Sequence, residues 1–340
     1  MTNNNLVTGL LLLFLSISIR AETYTAPLVE KSLLLDAAVS QNTVVVGERG
    51  HVILSTDGGA SFTQLTLPLV TTLTTVATIG EKIWVAGHDA TIMFSHNAGQ
   101  DWNVQMHSPD LERPFLDILF FDESHGIAVG AYGLFYRTID GGENWISEQH
   151  QSLLNPLDIE YLEEIRAEDE AFYLDELSSI LPHLNRITPY GDTLYVAGET
   201  GLLAVSYNLG RSWQRYEIDY AGSFFDILHL NDGITLAAGL RGTVYLKSRD
   251  QNWKKINTCT TATLNSIMLS AENTVLIVGN NGVKITINLQ TLLQSADAPC
   301  VDNGMNTAQL SSKSAIATVI KTSNGFTAIT SDGLQSLGVE

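Results

Sequence analysis

The stretch that decides the fold is STDGGASF, Ser55–Phe62, an Asp-Gly-Gly turn set between a hydroxylic residue and an aromatic one. Alone it reads as a hairpin turn. It returns as SHNAGQDW at Ser95–Trp102, TIDGGENW at Thr138–Trp145 and SYNLGRSW at Ser206–Trp213, and in worn form as SRDQNW at Ser248–Trp253. The turns alternate with Gly-x-x-Gly-like pairs. The first glycines of those pairs are Gly47, Gly87, Gly130, Gly198, Gly239 and Gly279, spaced 40, 43, 68, 41 and 40 residues apart. Upstream of the pairs stand LLDAAV, LTTVAT, FLDILF, LNRITP, FDILHL and LNSIML. Self-similarity at a fixed period marks a repeat architecture.

Each unit reads strand, loop, strand, Gly-x-x-Gly, strand, Asp-Gly turn, strand. In the first copy TVVVG is β-branched, and FTQLTL alternates apolar with polar as an edge strand should. Four antiparallel strands in about 40 residues make a propeller blade, which must stack on copies to bury both faces. Helical repeats are excluded, since the segments lack a 3.6-residue period. The fold class is therefore all-β, a seven-bladed β-propeller of four-stranded antiparallel blades. Blades are expected at 33–68, 71–108, 114–149, 184–219, 223–257, 262–294 and 314–338, with six or eight as alternative counts. The last blade runs out before a fourth strand, and TAPLVE at Thr25–Glu30 is expected to supply it and close the ring. The long interval holds an acidic insertion, 150–183, with Ile159, Leu162, Ile165, Phe172 and Leu177 at helical intervals and prolines at Pro156 and Pro182. One or two amphipathic helices are predicted there, either capping the propeller or docking a partner.

The repeated turn has its own chemistry. A carboxylate or amide oxygen at its third position (Asp57, Asn97, Asp140, Asn208, Asp250) can accept backbone N–H bonds from the same turn. Asn stands in for Asp twice, so the charge is dispensable and a catalytic acid is excluded. The turn is a staple. The octapeptides resemble the Asp-box, or bacterial neuraminidase repeat (BNR). The longer stretch FLDILFFDESHGIAVGAYGLFYRTIDGGENW, Phe115–Trp145, resembles the repeat of the photosystem II stability/assembly factor family. That resemblance covers nearly the whole chain beyond residue 21. It implies an exported propeller without enzymatic activity that binds proteins, subunits of a membrane complex, during assembly, partly through a basic surface patch.

The ends and the composition bound the setting. LLLLFL at Leu10–Leu15, with IRA ending at Ala21, is expected to form a signal peptide over 1–21, leaving 22–340 as the propeller domain; an uncleaved anchor is the alternative. Beyond residue 21 the chain keeps 17 basic against 37 acidic residues, a net charge of −20. Such a surface repels nucleic acid and anionic lipid. The expected product is a monomer in the periplasm or another exported compartment (lumenal in a photosynthetic host), without membrane insertion after signal cleavage. Cys259 and Cys300 allow one disulfide, or stay as two buried thiols.

Two sets of residues are candidate sites. The Gly-x-x-Gly turns lie at the blade end opposite the Asp-boxes and vary from copy to copy, so Arg49, Tyr132 and Arg241 are the expected partner contacts, against a reading as ordinary solvated loops. Asp36, Thr74, Asp117, Asn185, Asp226 and Asn265 on the innermost strands are expected either to form a polar ring in the channel or to bond across blades. No metal spacing, nucleophile elbow or phosphate loop is present, so no catalytic residue, cofactor or metal is expected. The alternative is a glycan-binding or sialidase-like propeller, which requires three arginines converging in an axial pocket.

Overall fold

The computed structural model describes residues 25–230, 233–249 and 251–338. The expected signal peptide and Asp250 lie outside them. Each blade is organised around its second strand: TVVVG, KIWVAG, GIAVG, TLYVAG, ITLAAG and TVLIVG are buried along almost their whole length. These strands are apolar on both faces because each is sandwiched between neighbouring blades. Six sheets have four strands in sequential order and a seventh has three. They span 34–65, 73–106, 115–147, 184–215, 224–256, 264–309 and 316–337. Each inner strand packs on that of the next blade, and Ile316–Thr322 of the seventh packs on Leu34–Val39 of the first. The ring is closed, with seven blades.

The glycine pairs do two different jobs. At Gly47, Gly130, Gly239 and Gly279 the backbone is pressed against the residue before the inner strand, and a Cβ would overlap the carbonyl oxygen of Leu33, Pro114, Ser223 or Thr263. The turn that follows is a single 3-10 turn whose second residue is left-handed: Arg49 (φ 56°), Tyr132 (φ 52°), Arg241 (φ 55°) and Asn281 (φ 59°). The closing glycine continues at positive φ, except in the second blade, where Ala90 takes φ 44°.

The Asp-boxes are built alike in the four described copies. In the third blade Thr138 Oγ1 donates to Asp140 Oδ1 at 2.8 Å, Asn144 N to the same oxygen at 2.9 Å and Asn144 Nδ2 to Oδ2 at 2.8 Å. Asn208 Oδ1 takes the same bonds from Ser206 Oγ and Ser212 N, both at 2.9 Å. The closing aromatic lodges between its own blade and the preceding one: Trp102 packs with blades one and two, Trp145 with two and three, Trp213 with three and four.

Two segments differ from the sequence expectation. The sixth blade does not end at 294. Its third strand, Val283–Asn288, runs into a short helix, Leu289–Ser295, and the outer strand returns as Met305–Gln309. That strand is almost wholly exposed, so it carries no apolar alternation to read. Thr25–Glu30 does not form the missing strand of the seventh blade. Pro27 has no N–H to give a ladder, and the chain winds into a 3-10 turn at Val29–Lys31 that lies against Gly333. The seam between blades seven and one is held instead by Leu34, Val45 and Ile53 against Ile320 and Ile329, with Phe62 alongside. Ser323 N also donates to Gly58 O there at 2.8 Å. Cys259 and Cys300 are bonded, with Cα atoms 5.6 Å apart, and tie the segment after blade five to the insertion of blade six.

Two stability outcomes follow from this packing. Gly279→Ala forces a methyl group into backbone and should cost about 1–3 kcal/mol, as overpacking does. Gly80→Ala meets open space and should lose only the left-handed preference, about 1 kcal/mol; urea denaturation measures both. The bonds to the Asp140 carboxylate hold its pKa down at about 2, so its contribution is present above the ordinary range near 4 and is lost as pH falls toward 2. Asp140→Ala should lower the melting temperature at pH 7, and Asp140→Asn should restore most of the loss, as Asn208 serves in the next blade.

Candidate functional site

Inner strands face the axis as sheet edges, so their outward backbone groups need partners from elsewhere. In every blade the inner strand carries a bulge: its register slips between the first and third residues, as between Leu34 and Asp36 or between Leu184 and Arg186. The third residues are therefore equivalent, and they are Asp36, Thr75, Asp117, Arg186, Asp226, Ser266 and Thr318. Asp36 Oδ2 accepts from Val76 N of the next blade at 3.1 Å, Asp117 Oδ2 from Ile187 N at 2.7 Å and Asp226 Oδ2 from Ile267 N at 2.7 Å. Thr75 Oγ1 donates to Asp117 Oδ1 at 3.2 Å, and the hydroxyls of Ser266 and Thr318 meet at 3.2 Å.

Of the two readings expected for these residues, bonds across blades are what the structure shows, and the membership of the polar ring is corrected. Asp36, Asp117 and Asp226 belong to it. Thr74, Asn185 and Asn265 sit one residue upstream, each followed by a second polar residue, Thr75, Arg186 or Ser266, that holds the equivalent place. They reach across the blade interfaces instead, Thr74 Oγ1 to Phe115 O at 2.6 Å, Asn185 Nδ2 to Phe224 O at 2.7 Å and Asn265 Nδ2 to Ile316 O at 2.8 Å.

Arg186 is the residue that sequence reasoning missed. Its guanidinium lies 3.3 Å from Asp117 Oδ1, 3.8 Å from Asp226 Oδ1 and 3.9 Å from Asp36 Oδ1, a cation shared by carboxylates from three other blades. Burial pushes Asp36 up to about 6 against the pull of Arg186, and pushes Asp226 up in the same way. Burial alone would lower the Arg186 pKa, but Asp117, Asp36 and Asp226 together raise it. With three carboxylates and one guanidinium the belt carries a formal charge of −2, held by hydrogen bonds to backbone. Its geometry is that of an axle joining blades, with each of the three carboxylates accepting a backbone N–H of the next blade.

The face carrying the Gly-x-x-Gly turns is different in kind. Arg49 has a side chain 78 % exposed and only a long contact, 3.8 Å, to Glu48. Tyr132 is half exposed, with Arg113 5.5 Å above its ring and His183 edge-on at 4.6 Å. Arg241 is exposed at the corresponding place on the fifth blade. The three stand on alternate blades around the rim, and the fold does not bring them into contact with one another. Between blades three and four the insertion forms a helical hairpin at this same end: α1, Pro156–Glu168, and α2, Glu170–Ile180. Asn155 caps α1 through Leu157 N, and Asp169 caps α2 through Ala171 N and Phe172 N. The hairpin buries Leu162, Tyr173, Leu177 and Leu181 on its inner side and is fastened by Arg215 Nη1 to Leu153 O at 2.7 Å. Ile159 and Phe172, read as core from their spacing, face solvent instead.

The axle predicts a pH dependence. Arg186→Met leaves buried carboxylates without their cation and should cost about 3–5 kcal/mol at pH 7.5. A raised carboxylate pKa means that the stability contribution is present at low pH and is lost as pH rises through about 6, for Asp36. The penalty of Arg186→Met should therefore shrink at pH 5.5, as read by denaturant unfolding at the two pH values.

No protein-family model matches the chain, and no curated protein matches it. Solved structures do. A structure of YCF48 bound to D1 peptide superposes with a TM-score of 0.64 at 15% identity, covering 92% of this chain and 94% of that one. YCF48 from Cyanidioschyzon merolae also gives 0.64, at 14% identity over 92% and 96% of the two chains. The WD40 β-propeller domain of Doa1 gives 0.62 at 11% identity over 90% and 92%. What this chain shares with all three is the propeller fold.

Proposed function

We propose that this protein is an exported, non-enzymatic propeller that binds other proteins through the face carrying its Gly-x-x-Gly turns, and that it assists assembly of a membrane or envelope complex. One observation carries the reading. At a single end of the ring, backbone-identical turns present unlike and exposed side chains, Arg49, Tyr132 and Arg241 among them, beside a helical hairpin that interrupts the repeat. Constant geometry with variable side chains suits recognition rather than stability, and Arg and Tyr are the residues that anchor protein interfaces. The neighbouring fold of YCF48, solved with a D1 peptide, supports a peptide or protein partner of the same general kind.

The sialidase-like alternative would need arginines gathered on the axis. The arginine found there, Arg186, is enclosed by three carboxylates, a surrounding that would repel an acidic sugar. Among the described residues no helix is long and apolar enough to cross a membrane. Export is an expectation of the N-terminal sequence.

The test is co-purification of partners from the native host with tagged protein. Arg49→Glu combined with Arg241→Glu should lower recovery of the partner about tenfold or more, since loss of an interface arginine costs upward of about 1 kcal/mol and 1.4 kcal/mol is tenfold. The melting temperature should not move. Asp140→Asn, at the opposite end, should leave recovery intact. Equal recovery with the double reversal, or loss with Asp140→Asn in a normally melting protein, would refute the assignment of the face.

A further inference from the structure

A groove of about 590 Å³ opens on this same face between the start of the helical hairpin and the connection from blade four to blade five. Leu157, Tyr216, Ile218 and Tyr220 give it an apolar floor, and Glu217 and Asp219 stand on its edge. Leu157 is 76 % exposed, although it lies at the second position of a well-capped helix where a polar residue would serve. The basic side chain in the lining, Arg215, is committed, donating to Leu153 O at 2.7 Å and to Thr200 O at 2.6 Å. Tyr161 continues the face of Leu157 one turn along α1, 44 % exposed, with its hydroxyl 3.4 Å from Glu176 Oε1 of α2. Phe172 and Leu174 are exposed on α2. From Pro156 to Ile180 the hairpin has nine acidic residues against one basic, and that one, Arg166, is spent on Glu170 at 3.2 Å and on the ring of Tyr173 at 5.0 Å.

We infer that this groove, with the adjoining Leu157–Tyr161 face of α1, is the docking site for a cationic segment of a partner protein that carries apolar side chains between its lysines or arginines. The apolar floor takes the partner's aliphatic or aromatic side chains, and Glu217 and Asp219 at the rim, with Glu176 beside Tyr161, meet its charges. Rim charges of one sign add selectivity and speed of encounter, while the buried apolar contact sets the lifetime of the complex. An acidic or neutral segment would strip water from these carboxylates without replacing it. The inference rests on the protein-binding reading above and names the chemistry of one partner segment.

The test uses the purified full chain and three fluorescent twelve-residue peptides, read by anisotropy at 0.15 M salt, a concentration that damps long-range attraction. One peptide combines lysine with leucine and tryptophan, one has the same lysines with serine, and one replaces lysine by glutamate. The first should bind at least about tenfold more tightly than the other two. Glu217→Lys with Asp219→Lys should weaken it about tenfold or more, and Leu157→Asp by a comparable factor, each at an unchanged melting temperature. Glu81→Lys with Glu272→Lys makes the same change of net charge at the opposite end of the ring and should have little effect. Equal binding of both lysine peptides, or equal losses from both charge reversals, would reduce the effect to the overall negative charge and overturn the site. A dimer in sedimentation that dissociates on Leu157→Asp would give the face to a second copy of the chain, again overturning it. If the groove variants still recover the native partner at full yield, the groove assignment fails while protein binding by the wider face stands.

Discussion

Seven sheet edges converge on one axis, and each brings backbone N–H groups that its own sheet cannot satisfy. Everything near the axis answers that constraint. The bulge in each inner strand turns the third side chain toward the neighbouring blade, and a carboxylate there can accept two N–H groups at once, one local and one from across the interface. Asp117 does so with Ile118 N at 2.9 Å and Ile187 N at 2.7 Å. Burying three such carboxylates would be prohibitive without a counter-charge, since an isolated buried ion is far costlier than a paired one. Arg186 provides it. The cluster is thus best understood as a repair of exposed strand edges, with a cation added because the repair uses anions.

Away from the axis the burden shifts from polar bonds to packing. The second strands bury both faces, and the aromatic residue closing each Asp-box fills the wedge that opens between blades as they splay outward. The box itself stays at the solvent edge, satisfied almost entirely by atoms of its own loop. This division explains why Asn and Asp alternate freely in the boxes: each offers one oxygen to the same two donors, the hydroxyl that opens the box and the backbone N–H four residues on. It also explains the use of aspartate at the inner-strand position of blades three and five, where the two oxygens serve two different blades.

The period of the turns and the paired glycines made the blade count and the seven-bladed fold legible, because both are fixed by local backbone geometry that leaves a residue signature. The acidic break at 150–183 was equally visible, and it is a helical hairpin. Legibility ended where geometry leaves no such signature. Blades two, four and six have two polar residues in succession at the start of the inner strand, and composition does not say which of the two faces the neighbouring blade, so Thr74, Asn185 and Asn265 stood in for Thr75, Arg186 and Ser266. The strand Met305–Gln309 is solvated on both faces and has no alternation to detect. Thr25–Glu30 looked extended, but Pro27 and the i to i+3 bond from Lys31 N to Leu28 O, 2.9 Å, bend it away from the sheet. The groove beside Leu157 joins residues more than fifty positions apart, which periodicity alone cannot bring together.

A ring of similar blades has a combinatorial hazard: a blade can be skipped, or a strand borrowed from a second molecule, with little change in the number of contacts made. The axial charges remove that degeneracy. Aspartates stand on blades one, three and five and the axial arginine on blade four, while blades six and seven bring two hydroxyls together instead. Omitting or exchanging one of blades one, three, four or five would part the guanidinium from one or more of its carboxylates. The order seen keeps three axial carboxylates within 4 Å of the one axial guanidinium, so the axle marks the order of the blades.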